Sequence, residues 1–483
     1  MGFTLPAAVT GAAVRSYRTF SPLPRPIGRG GMFSVALSVK PALSESPRPL
    51  AGMPPCGDRT FLPGAAFPRP RAAARLAGSS PIIARRIQAM ARLYTGRMLL
   101  SRDRILTTHV GSLPRNATLS DLLLRREEGE AVDPARLAEE MDRAVLHVVQ
   151  KQAEAGIDIG NDGEQQRVGF QTYVPQRMSG FGGESKRRRG RDFESFPELT
   201  EMFLRRFPKR SRMQNAAQAQ REIRYLDTAA IEAETSRLNR TVNDTGAFLE
   251  TFMTAPSPGI ISSTMLNAWY DSQEAYVMAL AREMRHEYLA IHRAGLILQI
   301  DSPDLAMDRT MFYRDLTDAQ FVNAAERNVA ALNKAIEGIP RDRVRLHCCW
   351  GNWDGPHIFD VPLETILPVL YQANVGALSV EFANPRHQHE YEAIRRNPLP
   401  PHMALLPGTI DTTTNIVEHP EVVARRIQEA VAAVGDRERV IASVDCGFGT
   451  FTNREWVIEP AVWLKLRSLR EGADIASARL WGR

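Results

Sequence analysis

The chain of 483 residues has little cysteine and no long apolar run. Its four cysteines, Cys56, Cys348, Cys349 and Cys446, are too few to build a disulfide scaffold. No segment approaches the roughly 18 uninterrupted apolar residues that a membrane-spanning helix needs. Hydrophobic residues make up 43% of the chain and charged residues 24%, which is typical of globular proteins. The composition therefore argues against a disulfide-rich or integral membrane protein.

Positive charge is not in excess outside the N-terminal fifth of the chain. Residues 1–92 contain 13 arginines and lysines against two acidic residues, whereas 93–483 contain 48 basic and 53 acidic residues. The formal net charge of +6 therefore comes from 1–92. Nucleic-acid binding needs a basic surface on the folded domain, so we predict neither a nucleic-acid nor a membrane partner.

Residues 1–92 also contain 13 of the 32 prolines and show no apolar period. We predict that this Pro/Arg/Ala-rich extension is disordered and carries no chemistry. Its composition fits an over-extended gene start, with Met90 or Met98 as the initiator, and also an organellar transit peptide. The expected location is cytoplasmic, or organellar if the transit peptide is genuine.

From residue 104 onward, short β-branched runs alternate with amphipathic segments. Eight strands, most of them followed by a helix, predict a single (β/α)8 TIM barrel over 100–483. No strand is followed by G-x-G-x-x-G or G-x-x-x-x-G-K-[ST], which argues against an open nucleotide-binding sheet. The predicted strands are 105–110, 157–161, 248–254, 296–301, 344–349, 377–381, 403–410 and 440–445. The predicted helices are 134–155, 274–294, 317–337, 363–374, 389–396, 420–434 and 461–471.

A long insertion, 180–245, follows the second predicted strand. It contains the basic run 186–191, a second basic stretch over 205–212 and then a polar helical pattern. One interpretation is a solvated excursion. The other is a lid over the barrel mouth whose basic residues attract an anionic substrate.

Potential metal ligands follow three of the predicted strands. His347 and Cys349 end strand five, Glu381 ends strand six and Cys446 ends strand eight. Residues two apart on a strand share a face, so His347 and Cys349 point the same way and Cys348 packs on the other side. In a barrel these strand ends meet at one rim. Each cysteine alone is consistent with apolar packing, but the H-x-C, Glu and Cys set together predicts a Zn²⁺ site.

Seven motifs, in this order, carry a family resemblance. They resemble the C-terminal catalytic domain of cobalamin-independent methionine synthase, and more closely its stand-alone relatives, which include epoxyalkane:coenzyme M transferase. The resemblance spans roughly 104–475. The motifs are TTHVGSLPR (107–115), GNDGEQQR (160–167), QIDSP (299–303), HCC (347–349), VEFAN (380–384), PGTID (407–411) and DCGFGT (445–450).

The resemblance implies a zinc-dependent methyltransferase that moves a methyl group from a methyltetrahydrofolate-type donor to the thiol of homocysteine. It implies that Glu381 completes the zinc site and leaves the metal when the thiolate enters. The amino-acid part of homocysteine would be held by Ser112, Glu164 and Asp301. Structural alternatives are an ion pair of Glu164 with Arg167 and a strand-end cap by Asp301.

The chain departs from the family after strand seven. Methionine synthases carry D-x-H there, and this sequence has Asp411-Thr412-Thr413. Threonine cannot act as an acid near neutral pH, so either another group, such as His109, is the proton donor, or the leaving group differs. Asp411 is kept as a catalytic candidate, and His109 has a structural role as its alternative. The alternative donors are His387 and His389.

The methyl donor is the open part of the functional prediction. In the double-length synthases a second, N-terminal barrel helps to bind the folate, and residues 1–92 cannot supply such a barrel. Trp269, with Tyr270 beside it, is predicted either to stack on a pterin or to pack in the core. The rival functions are alkyl transfer to another thiol such as coenzyme M, a metal-free barrel like the uroporphyrinogen decarboxylases, and a non-catalytic zinc-binding barrel. The oligomeric state is not predicted.

Overall fold

The computed structural model describes residues 97–208 and 215–482, where strands alternate with helices. The predicted extension 1–92 and part of the second basic stretch, 209–212, lie outside the described residues. The strands are β1 Leu106–Thr107, β2 Ile159–Gly160, β3 Met178–Gly182, β4 Gln218–Tyr225, β5 Glu250–Pro256, β6 Ile297–Asp301, β7 Val344–Cys348, β8 Ala377–Val380, β9 Ala404–Pro407 and β10 Ile441–Ala442.

Eight of these strands form a closed parallel ring. The order β2-β5-β6-β7-β8-β9 makes one sheet, and β1 pairs with β10 in parallel. Single bridges, Thr108 to Ile159 and Leu405 to Val440, join β1 to β2 and β9 to β10. The predicted TIM-barrel fold is confirmed, and each predicted strand overlaps one strand of the ring.

Helices cover the outside of the ring. The predicted helices correspond to α2 and to α7 through α12, although the last one extends to Trp481, ten residues beyond its predicted end. The helices are α1 Ala117–Glu127, α2 Pro134–Ala155, α3 Arg191–Ser195, α4 Pro197–Arg206, α5 Ala229–Thr245, α6 Pro258–Thr264, α7 Gln273–Arg293, α8 Asp318–Ala335, α9 Leu363–Leu370, α10 Tyr391–Arg396, α11 Pro420–Val434 and α12 Glu459–Trp481. None of the helices in the described part of the chain has the length and apolar character needed to cross a bilayer.

Helix α2 illustrates why these segments form helices. The Asp133 side chain caps its first turn by accepting from the Ala135 amide, and Pro134 occupies the first position, where no amide hydrogen is needed. Gly156 ends the helix in the left-handed region at φ 85°, a conformation that costs glycine little. The apolar face, which includes Val145 and Val149, is buried against the barrel.

The barrel interior is polar just below the predicted site. Arg345, on β7, is buried and donates to Gln299 Oε1 at 2.7 Å and to Thr108 Oγ1 at 3.1 Å. Its guanidinium lies 3.5 Å from the centre of the Phe252 ring. Burial lowers the pKa of Arg345 to about 9. This arginine links β1, β6 and β7 under the rim where the candidate ligands lie.

The insertion 180–245 forms structure of its own. Strands β3 and β4 pair antiparallel, so the polar helical pattern predicted after residue 212 is wrong for Gln218–Tyr225 and right for α5. A strand forms because β4 finds a partner in β3, which local sequence does not reveal. Phe193 and Phe203, from α3 and α4, pack in one apolar cluster with Trp353 and Trp456 from the barrel loops. Movement of this segment as a lid remains a prediction.

Asp158, buried between α2 and β2, joins both ends of the barrel sequence. Its carboxylate accepts from Arg104 at 2.6 Å, from the Thr107 amide at 3.0 Å and from Arg470 of α12 at 3.1 Å. Removing the charge leaves two arginines without their shared carboxylate, which is costly in a partly buried position.

We therefore expect Asp158→Asn to lower the free energy of unfolding by about 2 kcal/mol, measured by urea denaturation. The matched control is Asp474→Asn, which removes the exposed partner of the same Arg470 and should change stability by less than about 0.5 kcal/mol. Equal effects of the two substitutions would contradict a role of Asp158 in closing the barrel.

Candidate metal centre and active site

Three of the four predicted metal ligands lie together at the carboxyl ends of the strands. Ligand atoms of His347, Cys349 and Cys446 all lie within 4.8 Å of one another, and the three residues are buried. The His347 Nδ1 is 3.4 Å from Ser379 Oγ, while its Nε2 has no hydrogen-bond partner among the described residues. A free imidazole nitrogen converging with two thiols is a donor set that suits a borderline-soft divalent cation such as zinc.

The electrostatics of this triad agree with that donor set. A hydrogen bond with Cys446, together with burial, raises the pKa of the Cys349 thiol well above its usual value. Burial lowers the pKa of His347, so its ring is neutral and carries a lone pair. A bound cation favours thiolate and neutral imidazole, so its arrival would release thiol protons.

Glu381, the fourth predicted ligand, is not part of the triad. Its Oε1 accepts from the Trp350 amide at 3.0 Å and its Oε2 accepts from Asn384 Nδ2 at 2.7 Å. These two donors hold the carboxylate away from the three ligand atoms. Its role as a metal ligand therefore stays a prediction.

Asp445, which precedes Cys446, joins the two ligand-bearing loops. Its carboxylate accepts from the backbone amides of Phe382, Ala383 and Asn384 at 2.8–3.0 Å. It also accepts from the Asn384 side chain at 3.1 Å. Burial raises the pKa of Asp445 to about 6. Sequence reasoning missed this residue, although its position at a strand end beside a candidate ligand was a signal.

The triad lines a cavity at this end of the barrel. It is lined by six of the residues predicted for metal or substrate, together with apolar side chains from several loops. The predicted residues are Ser112, Glu164, Asp301, His347, Cys349 and Cys446, and the apolar ones include Val110, Phe170, Met307, Met311, Trp353 and Phe451. We call this the metal cavity.

Glu164 lies in the metal cavity in an unusual backbone conformation. Its φ of 56° is uncommon for a residue with a side chain, a type of strain that often occurs at functional sites. Its Oε1 accepts from Thr254 Oγ1 at 2.9 Å, and its buried Oε2 has no hydrogen-bond partner in the described part of the chain. The predicted alternative, a Glu164–Arg167 ion pair, is wrong, because Arg167 pairs with Glu234 at 2.9 Å.

Asp301 and Ser112 lie on other walls of the same cavity. Burial raises the pKa of Asp301 to about 8, and its Oδ1 accepts from Gln299 Nε2 at 2.7 Å. The alternative that this carboxylate caps a strand end is not observed. Ser112 meets Gly447 so closely that a Cβ there would lie 1.9 Å from its hydroxyl oxygen, so only glycine lets the two loops touch.

A second cavity adjoins the metal cavity. Glu381 and Asp411 line it, and Cys446 lines both cavities. The Asp411 carboxylate accepts from the Thr413 amide at 2.7 Å and from its hydroxyl at 2.8 Å. Asp411 therefore orders the loop in which threonine replaces the family histidine, and a part in catalysis stays a prediction.

His387 lines this second cavity but is held between two acids. Its Nδ1 donates to Glu390 Oε2 at 2.7 Å and its Nε2 donates to Asp360 Oδ2 at 3.1 Å. Both contacts raise the pKa of His387, to about 10, against the opposing effect of burial. Because both nitrogens are engaged, His387 binds two loops together, whereas His389 is exposed.

Two predicted site residues, His109 and Trp269, line neither cavity, which argues against their predicted roles. His109 Nε2 donates to Gln152 Oε1 at 2.7 Å, and its Nδ1 has no hydrogen-bond partner among the described residues. Burial lowers the pKa of His109 to about 3, which favours a neutral ring and argues against His109 as the proton donor. Trp269 is 56% exposed in the loop after α6 and is absent from both cavity walls. Tyr270 beside it packs against Tyr276 at 5.4 Å.

The fold and the site together define a TIM-barrel enzyme with a histidine–cysteine cluster at the catalytic rim. A family model described as "Cobalamin-independent synthase, Catalytic domain" matches residues 209–471, more than half of the chain. The chain therefore belongs to this cobalamin-independent synthase family, within the methyltransferase and synthase enzymes.

Individual relatives span nearly the whole barrel. The chain is 24% identical over 401 residues to a 2-hydroxypropyl-CoM lyase of Xanthobacter autotrophicus, covering 77% of this chain and 95% of the relative. It is 23% identical over 380 residues to a methionine synthase of Thermococcus kodakarensis, covering 77% and 94%. A solved B12-independent methionine synthase from Shewanella, in complex with selenomethionine, matches with a TM-score of 0.58 at 20% identity, covering 79% of this chain and all of that one. That last likeness supports the fold.

The environment of His109 predicts an acid-dependent loss of stability. Its pKa is lower in the folded chain than in the unfolded chain, so the unfolded state binds more protons as the pH falls. Between about pH 6.5 and 4, wild type should therefore lose stability more steeply than His109→Gln. Urea denaturation at several pH values measures the slopes. The exposed control His389→Gln should keep the wild-type slope, and a wild-type slope in His109→Gln would refute the neutral, buried assignment.

Proposed function

We propose that this chain is a zinc-dependent enzyme that transfers a methyl or other alkyl group to a thiol. Homocysteine and a methyltetrahydrofolate-type donor are the leading substrates, which makes it methionine-synthase-like. The observation that carries the proposal is the convergence of ligand atoms of His347, Cys349 and Cys446 in a cavity that is also lined by two acids. The family and the methionine synthase relative support it.

The proposed roles follow from the contacts. His347, Cys349 and Cys446 would hold Zn²⁺, which when bound lowers the pKa of a coordinated thiol and so supplies a thiolate near neutral pH. The unpaired Oε2 of Glu164 and the carboxyl group of Asp301 offer acceptors for an ammonium group. Ser112, on the same wall, offers a hydroxyl to the acid end of an amino-acid substrate.

Glu381 is proposed as a ligand that binds and leaves. Its present donors, the Trp350 amide and Asn384, give the free carboxylate a fixed resting position. Asp445 holds that position through its bonds to Asn384. An exchange of this kind would give the carboxylate a partner in both positions, the metal in one and these two donors in the other, so neither would leave a buried charge unpaired.

A second candidate function is alkyl transfer to coenzyme M. The similarity to a 2-hydroxypropyl-CoM lyase over most of the chain favours it. This function uses the same zinc site and the same thiolate chemistry as transfer to homocysteine. The two functions differ in the rest of the thiol substrate. The non-enzymatic alternative is a zinc-binding barrel whose closed site never admits a thiol.

The proposed ligand set predicts metal content. Purified wild-type protein should bind about one zinc ion per chain, measured by mass spectrometry of metals after dialysis. Cys446→Ser should lose most of that zinc and the transfer activity while keeping the barrel's circular dichroism. The control is Cys348→Ala, because Cys348 is buried on the opposite face of β7 in the apolar core. Full activity of Cys446→Ser without metal would refute the assignment.

Substrate entry predicts a change around the metal. X-ray absorption of the zinc-loaded protein should show one additional sulfur neighbour when the correct thiol is added, because the thiol enters the coordination sphere. A screen of homocysteine and coenzyme M against methylfolate and epoxide donors identifies the pair that turns over. An unchanged zinc environment with every thiol would support the non-catalytic barrel and contradict the enzyme proposal.

A further inference from the structure

Arg187, in the insertion, places a positive charge in the wall of the metal cavity. It lines that cavity together with the triad and Glu164. The Arg187 side chain is only partly exposed, and within residues 97–208 and 215–482 its guanidinium has no hydrogen bond or ion pair. A cation withdrawn from water without a partner is unfavourable. An anionic ligand group would supply the missing partner.

A third cavity adjoins the metal cavity at Arg187, Met311 and Arg454. Its wall also contains Arg188 and Arg189, and no member of the metal triad lines it. The shared residues therefore connect the metal cavity to an arginine-lined space that the triad does not line. The metal cavity itself combines apolar side chains with Arg187.

Asp308 is the acid whose charge most affects Arg187, but the two side chains do not form an ion pair. Asp308 is fully buried, and no ion pair joins the two side chains within 4.0 Å. Both carboxyl oxygens of Asp308 lack a hydrogen-bond partner among the described residues, and burial raises its pKa to about 7. Asp308 therefore leaves the donors of Arg187 free to bind a ligand.

We propose that the substrate occupying the metal cavity has an apolar body and an anionic group at the end remote from the metal, and that Arg187 binds this group. The inference rests on the proposed function and names the class of molecule that the site accepts. The apolar body contacts the Phe170, Met307 and Trp353 walls. Carboxylate or sulfonate both fit, because a guanidinium offers paired donors to either.

The test uses thiols as probes of distance and charge. The zinc-loaded protein is titrated by calorimetry with straight-chain ω-mercaptocarboxylates of increasing length and with ω-mercaptoalcohols of the same lengths. The thiol fixes one end at the metal, so only the far end differs between the two series. At the length that reaches Arg187, we expect the carboxylate to bind about ten-fold more tightly than the alcohol.

Two variants separate Arg187 from general charge. Arg187→Gln should abolish the preference for the carboxylate. Lys186→Gln, which removes the same charge from an exposed neighbour that lines none of these cavities, should retain it. Equal binding of the two wild-type series at every length would overturn the inference, as would an equal loss in both variants.

A further variant tests the competing assignment, in which Arg187 serves only Asp308. If Asp308→Asn removed the preference and Arg187→Gln left it intact, the inference would fail. If the proposed function were wrong, neither series of thiols would bind in a zinc-dependent way. This outcome is distinguishable from failure of the inference about Arg187. Circular dichroism of each variant shows that its barrel is folded before binding is compared.

Discussion

The inward-facing row of β7 is the feature on which the rest of the site depends. Arg345, His347 and Cys349 alternate with outward-facing residues. Their side chains face the barrel interior at successive levels toward the carboxyl end of the strand. The register pairs His347 with Asp301 on one side and Ser379 on the other. A shift of one residue would turn all three side chains outward, because the side-chain period of a strand is two. The barrel thus sets both the position and the depth of the triad.

Burial affects the acidic groups and the thiol of the metal cavity in the same direction, and a nearby cation would reverse that effect. Burial raises the pKa values of Glu164 and Asp301, and a hydrogen bond with Cys446, together with burial, raises that of the Cys349 thiol, so the neutral forms are favoured when no cation is near. A divalent ion at the triad and an ammonium group at the acids would each favour the charged forms. In the same low-polarity surroundings, the guanidinium of Arg187, which has no ion-pair partner among the described residues, would attract an anionic group. One cavity therefore offers opposite polarities to the two ends of a substrate.

The loops above the barrel divide the space around Cys446. Trp353 lines both large cavities and packs against Phe193 of the insertion at 5.8 Å between ring centres. The loop that carries it is held by His357 and His387, which both donate to Asp360. Through Asp360, the segment after β7 and the segment after β8 behave as one wall. Cys446 lines both cavities together with Trp353.

The sequence by itself determined the eight-stranded barrel and the triad, because strand alternation is local and parallel strands bring their carboxyl ends to one rim. Glu164 and Asp301 were identified through the family resemblance of the motifs that contain them. Only the tertiary structure decided which polar groups are already engaged. Glu381 is held by Trp350 and Asn384, and His109 by Gln152, partners that lie 31, 3 and 43 residues away. Likewise only folding brings Arg187 of the insertion to the metal cavity, since that contact depends on packing between segments that no local pattern relates.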